Sequence, residues 1–147
     1  MRNTALLIST VAASFLASVP ALAHHSFAAE FDASRSMRLI GTITRIEWTN
    51  PHSYFYIDVK DDKGSVVNWG CEGAGPGALS RRGWNKGDVK LGDTLVVDGY
   101  PAKDGSHTID ARRVTLPDGR IISGGSPNDG GPASDLAADD PASKTKK

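Results

Sequence analysis

The chain has 147 residues, with 17 Lys+Arg against 17 Asp+Glu, so its formal charge is zero and its length suits one domain. Balanced charge argues against nucleic acid or an anionic membrane surface as the main partner, since both select for clustered Lys and Arg. The single cysteine, Cys71, excludes an internal disulfide and, with no C-x-x-C pair, a cysteine-based zinc site.

Residues 1–23 read as a signal peptide. Arg2 supplies a positive start, Ala5 to Val19 is apolar and small, Pro20 breaks the run, and Ala21-Leu22-Ala23 matches the A-x-A cleavage pattern. The apolar run of about 15 residues falls short of the roughly 20 that cross a bilayer. The expectation is export, periplasmic or secreted, with no membrane span after cleavage. Loss of this segment leaves 16 Lys+Arg against 17 Asp+Glu. An N-terminal arm, residues 24–35, follows, with Phe27 and Phe31 four residues apart.

Residues 36–122 have turn signals every 8 to 14 residues with β-forming runs between them. The run from Met37 to Trp48 puts Met37, Leu39, Gly41 and Ile43 on one face, then shifts parity to Ile46 and Trp48, which predicts a bulge or sharp coil. Asn50-Pro51 ends it. From Tyr54 to Lys60, Phe55, Ile57 and Val59 alternate inward against Tyr54, Tyr56 and Asp58 outward. Asp61-Asp62-Lys63-Gly64 is a hairpin turn, and Ser65 to Glu72 turns Val67, Trp69 and Cys71 inward. Gly73 to Gly77 reads as loop, and Ala78 to Trp84 as a short helix stopped by Gly83. Thr94 to Ala102 points Leu95, Val97 and Gly99 inward. In the run His107 to Leu116, Ile109 and Ala111 face inward, then Val114 and Leu116 after a second parity shift. Arg120-Ile121-Ile122 adds an edge strand.

Three strands, a short helix and two more strands give an all-β fold: a small five- to six-stranded OB-like barrel with one short helix between strands 3 and 4. An immunoglobulin-like sandwich is the alternative, but it wants about seven strands and no helix. From Ser123 to Lys147 the chain holds one large aliphatic residue, Leu136, among Gly, Pro, Ala, Ser, Asp and Lys. Such a segment cannot offset its ordering entropy by burial and reads as a disordered tail.

Five motifs carry a resemblance: A-H-H-S-F-A-A-E-F-D at Ala23 to Asp32, I-E-W-T-N-P-H-S-Y at Ile46 to Tyr54, R-R-G-W at Arg81 to Trp84, G-D-T-L-V-V-D-G at Gly92 to Gly99, and V-T-L-P-D-G-R at Val114 to Arg120. With them the chain resembles an uncharacterised family of exported bacterial proteins, the domain-of-unknown-function 6152 family. The resemblance implies a periplasmic or secreted small β domain and brings no activity or catalytic residue with it.

The candidate sites are two. Cleavage after Ala23 would make His24 the first residue, and its α-amino group and imidazole, with His25 beside them, suit Cu(II). In an OB-like barrel His52 lies in the loop joining strands 1 and 2 and His107 at the loop joining strands 4 and 5, so these two could approach on one rim and complete a metal site. No cofactor is assigned beyond this possible copper. The second candidate is a ligand face: Tyr54 and Tyr56 outward on strand 2, Asn68 and Glu72 on the matching face of strand 3. Phe27 and Phe31 of the arm are expected to pack on the same two tyrosines, since exposed contiguous aromatics are a liability. Trp48, Trp69 and Trp84 belong to the core and its edges, and Cys71 should be a buried, unreactive thiol.

No G-x-S-x-G, phosphate-gripping glycine loop or H-E-x-x-H is present. The expectation is therefore a non-enzymatic binding domain whose partner is a small molecule or another envelope protein, held at the rim of loops 1-2 and 4-5. Copper delivery through the processed N-terminus and a protein-protein interaction module are the alternatives.

Overall fold

Alternating apolar and polar residues become six strands, with two short helices, over residues 26–132, the part of the chain that the computed structural model describes. In order these are α1 (Phe27–Glu30), β1 (Met37–Glu47), β2 (His52–Lys60), β3 (Val66–Ala74), α2 (Pro76–Arg81), β4 (Thr94–Pro101), β5 (Thr108–Thr115) and β6 (Ile121–Ser123). The expected signal peptide, His24 and His25 lie outside the described residues, as does 133–147.

The strands neighbour one another as β3-β2-β1-β4-β5-β6. Residues 70–72 of β3 also pair in parallel with 108–110 of β5, which closes the first five strands into a barrel and leaves β6 beyond the ring. This closed order is that of an OB-like barrel and sets aside the two-sheet sandwich.

Both parity shifts are bulges. On β1 the register passes from Ile43 opposite Ile57 to Arg45 opposite Tyr56, so Thr44 is the extra residue. On β5 it passes from Ala111 opposite Gly99 to Arg113 opposite Asp98, so Arg112 is extra. A bulge bends its strand and re-aims a side chain. Bent this way, β1 pairs its first half with β4 and its second with β2. Opposite the β5 bulge only glycine fits on β4, because a Cβ at position 99 would overlap the Asp110 carbonyl.

Leu39, Ile43, Phe55, Ile57, Leu95, Val97, Ile109 and Val114 fill the barrel, and burial pushes the Cys71 thiol among them up to about 12. Helix α2 starts earlier than expected: Pro76 takes its first position, where the missing N–H costs no bond. Its end is a Schellman motif. Trp84 N–H donates to Leu79 O and Gly83 N–H to Ser80 O, with Gly83 at φ +90°. The chain then drops Trp84 into the barrel, fully buried, its ring 4.3 Å from that of Phe55.

The arm does not pack on Tyr54 and Tyr56. Phe27 and Phe31 form a second cluster with Tyr100 on the outside of β4, with ring centroids at 5.7 Å (Phe27 to Phe31) and 5.5 Å (Phe27 to Tyr100). The strand register explains this. Tyr100 stands on the outer face beside the bulge, opposite Asp110, whereas Tyr56 is already capped by Arg45, 3.6 Å above its ring. The expected tail is also corrected. Residues 123–132 are held against the barrel: Arg82 donates to the Ser123 and Gly125 carbonyls (2.8 and 2.7 Å), and Arg112 grips Asp129.

Candidate functional site

Antiparallel and parallel registers place outward side chains in rows across the strands. One row runs Tyr54, Glu72, Asp110, Tyr100 over β2, β3, β5 and β4, and the next runs Tyr56, Gly70, Thr108. The arm lies over the β4 end of these rows. Between arm and strands opens a groove of about 540 Å³, with Tyr54 and Glu72 on one side, Glu30 and Phe31 of the arm on another, and the β4–β5 loop with Lys103 and Ser106 closing it.

Tyr54 donates its hydroxyl hydrogen to Glu72 Oε2 at 2.5 Å. Its phenol is raised well above the ordinary tyrosine value, by burial first, then by the bond to Glu72 and the negative charges of Glu72 and Glu30. It therefore serves the groove as a neutral ring in a negative field. The other carboxylate oxygen of Glu72 lies 3.1 Å from His52 Nδ1, so Glu72 ties the ends of β2 and β3 together. Lys103, the one cation in the groove lining, donates from Nζ to the Ala28 carbonyl at 2.5 Å and from its backbone N–H to the Glu30 carbonyl at 2.8 Å, which fastens the arm to the β4–β5 loop.

Of the four expected ligand residues, Tyr54 and Glu72 line the groove and the other two do not. Tyr56 stacks on Tyr54, at 6.2 Å between centroids, but carries Arg45 on its ring and reaches Glu47 with its hydroxyl. Asn68 lies four residues before Glu72 on β3, opposite Asp58, and donates to Thr44 Oγ1 and Asp58 Oδ1.

The expected pairing of His52 with His107 does not form. His52 is the first residue of β2 and lies opposite Ala74, whereas the His107 carbonyl accepts from Gly70 N–H. Four residues along a strand separate these stations by about 13 Å. His107 instead meets Trp69 edge to face at 5.1 Å. His24 and His25, the remaining metal expectations, lie outside the described residues. Among the described residues no three His, Cys, Asp or Glu side chains are grouped to hold a metal ion.

His52 has a second neighbour, Ser126 Oγ, 3.0 Å from the same Nδ1. Serine, histidine and glutamate together suggest a nucleophile relay. Such a relay needs one ring nitrogen for the serine and the other for the carboxylate, and here both converge on Nδ1.

The residues missed in sequence are those that build and hold the wall opposite Tyr54. Phe31 was expected near the tyrosines but its neighbour Glu30 was given no role, and Arg112, Asp110 and Asp129, which hold the arm from outside the groove, were hidden in a strand and a low-complexity segment. One signal was present. The parity shift between Ala111 and Val114 falls on Arg112, and a charged residue at a bulge is one being re-aimed.

Fold and groove together define a small all-β barrel of OB-like topology with a mixed aromatic and polar cleft on its β2/β3/β5 face. The chain belongs to a family of unknown function, DUF6152, whose model matches residues 12–110. A comparison with curated proteins found no match. Among the described residues no helix is long and apolar enough to cross a membrane.

Proposed function

We propose that the protein is an exported, non-enzymatic binding domain that holds a small neutral or cationic ligand, rich in hydroxyl or amine groups, in the Tyr54/Glu72 groove. The observation that carries this reading is the groove itself: about 540 Å³, of the size small-molecule sites have, with an aromatic ring beside a carboxylate. Its lining has Glu30, Glu72 and Asp104 against Lys103 alone, which disfavours anionic ligands such as phosphates and carboxylates. The hydroxyls of Ser106 and Thr108 and the carboxylates suit the hydrogen bonds of sugars and amines, and the Tyr54 ring suits their apolar faces. The groove borders the β4–β5 loop alone and not the rim that this loop would share with the β1–β2 loop. The convergence of Ser126 and Glu72 on one nitrogen of His52 supports a binding rather than a hydrolytic role. The A-x-A site before His24 supports export.

One preparation tests both parts. Protein recovered from the periplasm should begin at His24 by intact mass, and isotope-labelled protein of that form is then titrated by amide NMR with neutral saccharides, a polyamine and inorganic phosphate. The expected result is saturable shifts around Tyr54, Lys103 and Thr108 with a saccharide or the polyamine and none with phosphate, lost in Tyr54→Ala. Retention of residues 1–23 overturns export. Shifts that map elsewhere, a response to phosphate alone, or no response to the panel overturn the groove reading, and tight copper binding at His24 and His25 would put copper delivery in its place.

A further inference from the structure

Arg112, the bulge residue of β5, is a buried arginine that joins its own strand, the arm and the segment 123–132. Its Nε donates to Asp110 on its own strand. Its Nη1 and Nη2 donate to the two carboxylate oxygens of Asp129, at 3.2 and 2.7 Å. Its guanidinium carbon lies 4.6 Å from the centroid of the Phe27 ring. The segment 123–132 is shaped around this group: a Cβ at Gly125 would come within 2.6 Å of Nη1, and one at Gly131 would overlap Nη2. Asp129 also holds the arm by its backbone, since its carbonyl accepts from Phe27 N–H at 3.0 Å.

The arm has little stability of its own. Helix α1 is four residues long, below the length at which a helix persists unaided in water. It keeps its place because it is fastened at Phe27 by Arg112 and Asp129, in its middle by Lys103 on the Ala28 and Glu30 carbonyls, and at Phe31 by a bridge to Ala102 and the adjoining bond from Asp32 N–H to the Pro101 carbonyl. Between the two end fastenings sit Ala29 and Glu30, which with Phe31 make one wall of the groove.

We infer that residues 123–132 are a latch for the groove: the Arg112–Asp129 clamp holds the arm shut against Tyr100, and its release lets the arm, and with it one wall of the ligand site, swing away. Asp129 is the side chain that decides between the two states. Asp110 stays on Arg112 in both, being a neighbour on the same strand, whereas Asp129 belongs to the segment that meets the arm. The segment has independent anchors, Arg82 on the Ser123 and Gly125 carbonyls and Ser126 at His52, so loss of the clamp frees the arm without stripping the segment from the barrel.

The inference rests on the groove as the ligand site only in what the latch controls. The latch itself is read without a ligand, by native-state amide hydrogen exchange on the full chain. In Asp129→Ala, exchange at Phe27, Phe31 and Lys103 should rise by roughly tenfold or more while core amides such as Ile57 and Val97 keep their protection. Gly131→Ala, which pushes on the same guanidinium without removing a charge, should do the same, and Asp118→Asn, in the distant β5–β6 turn, should not. Unchanged exchange in the arm overturns the latch. A uniform rise across arm and core also overturns it, because the clamp would then serve global stability. If the arm is released as expected but the ligand titration of the unsubstituted protein fails, the latch stands and the groove reading falls.

Discussion

Asp110 carries the conflict that a buried carboxylate creates. Its side chain is 5 % exposed, and burial pushes its pKa from an ordinary 3.8 up to about 7, with Arg112 working against the rise and Asp129 and Glu72 adding to it. The folded protein therefore holds a proton that the unfolded chain has already lost across the window from about pH 4 to about pH 7. Stability from this residue is greatest at the acid end, falls as pH rises through the window, and is flat above it. Asp110→Asn cannot titrate and its amide oxygen can still accept from Arg112 Nε. Urea unfolding across the window should show the unsubstituted protein losing stability relative to Asp110→Asn as pH rises, and a constant difference would refute the assignment. Cys71 shows the same physics without a partner: its thiol, 1 % exposed and pushed up to about 12, stays protonated and unreactive in the folded protein.

At the scale of elements, the informative unit is the end of α2. The Schellman turn at Gly83 converts a six-residue helix into a delivery device that puts Trp84 against Phe55 and near Trp48. Removing that ring leaves a large cavity that the barrel cannot refill, so Trp84→Ala should cost about 3–5 kcal/mol. The indole N–H is buried with no hydrogen-bond partner among the described residues. Phenylalanine keeps most of the stacking area and removes an unsatisfied donor, so Trp84→Phe should cost less than about 1.5 kcal/mol. Denaturant melts of the two variants separate these effects, and equal losses would mean that the N–H is satisfied after all. The helix stop was legible from Gly83 because left-handed backbone favours glycine. Its start was not, because Gly73 to Gly77 reads as loop until Pro76 is seen at the first helical position.

Across the whole molecule, the strands and both bulges were legible because inward alternation is local and a bulge breaks its parity. What occupies the outer face was not, because it depends on which strands end up side by side. Glu72 was expected beside Tyr54 from the β2/β3 alternation and is its β3 partner, but the cover on Tyr56 was not foreseen, because Arg45 reaches that ring only where β1 coils past it. Tyr100, which looked like an ordinary strand residue, became the seat of the arm. Composition misjudged 123–132 for a related reason. It measures how much apolar surface a segment can bury, whereas this segment is held through backbone carbonyls and one carboxylate. Such anchors leave no trace in hydropathy.

The bond between Phe27 N–H and the Asp129 carbonyl has one more consequence, which concerns connectivity. The beginning and the end of the described chain lie side by side, so the fold is nearly a ring and the point at which the polypeptide starts is topologically arbitrary. A circular permutant that joins residue 132 to residue 26 through a short flexible linker, and opens between the exposed Lys86 and Gly87, retains every strand pairing in the barrel. It should fold to a cooperatively melting protein with its near-ultraviolet tryptophan spectrum intact, and an unfolded or aggregated product would show that the order of synthesis, and not only the native contacts, is needed to build the barrel.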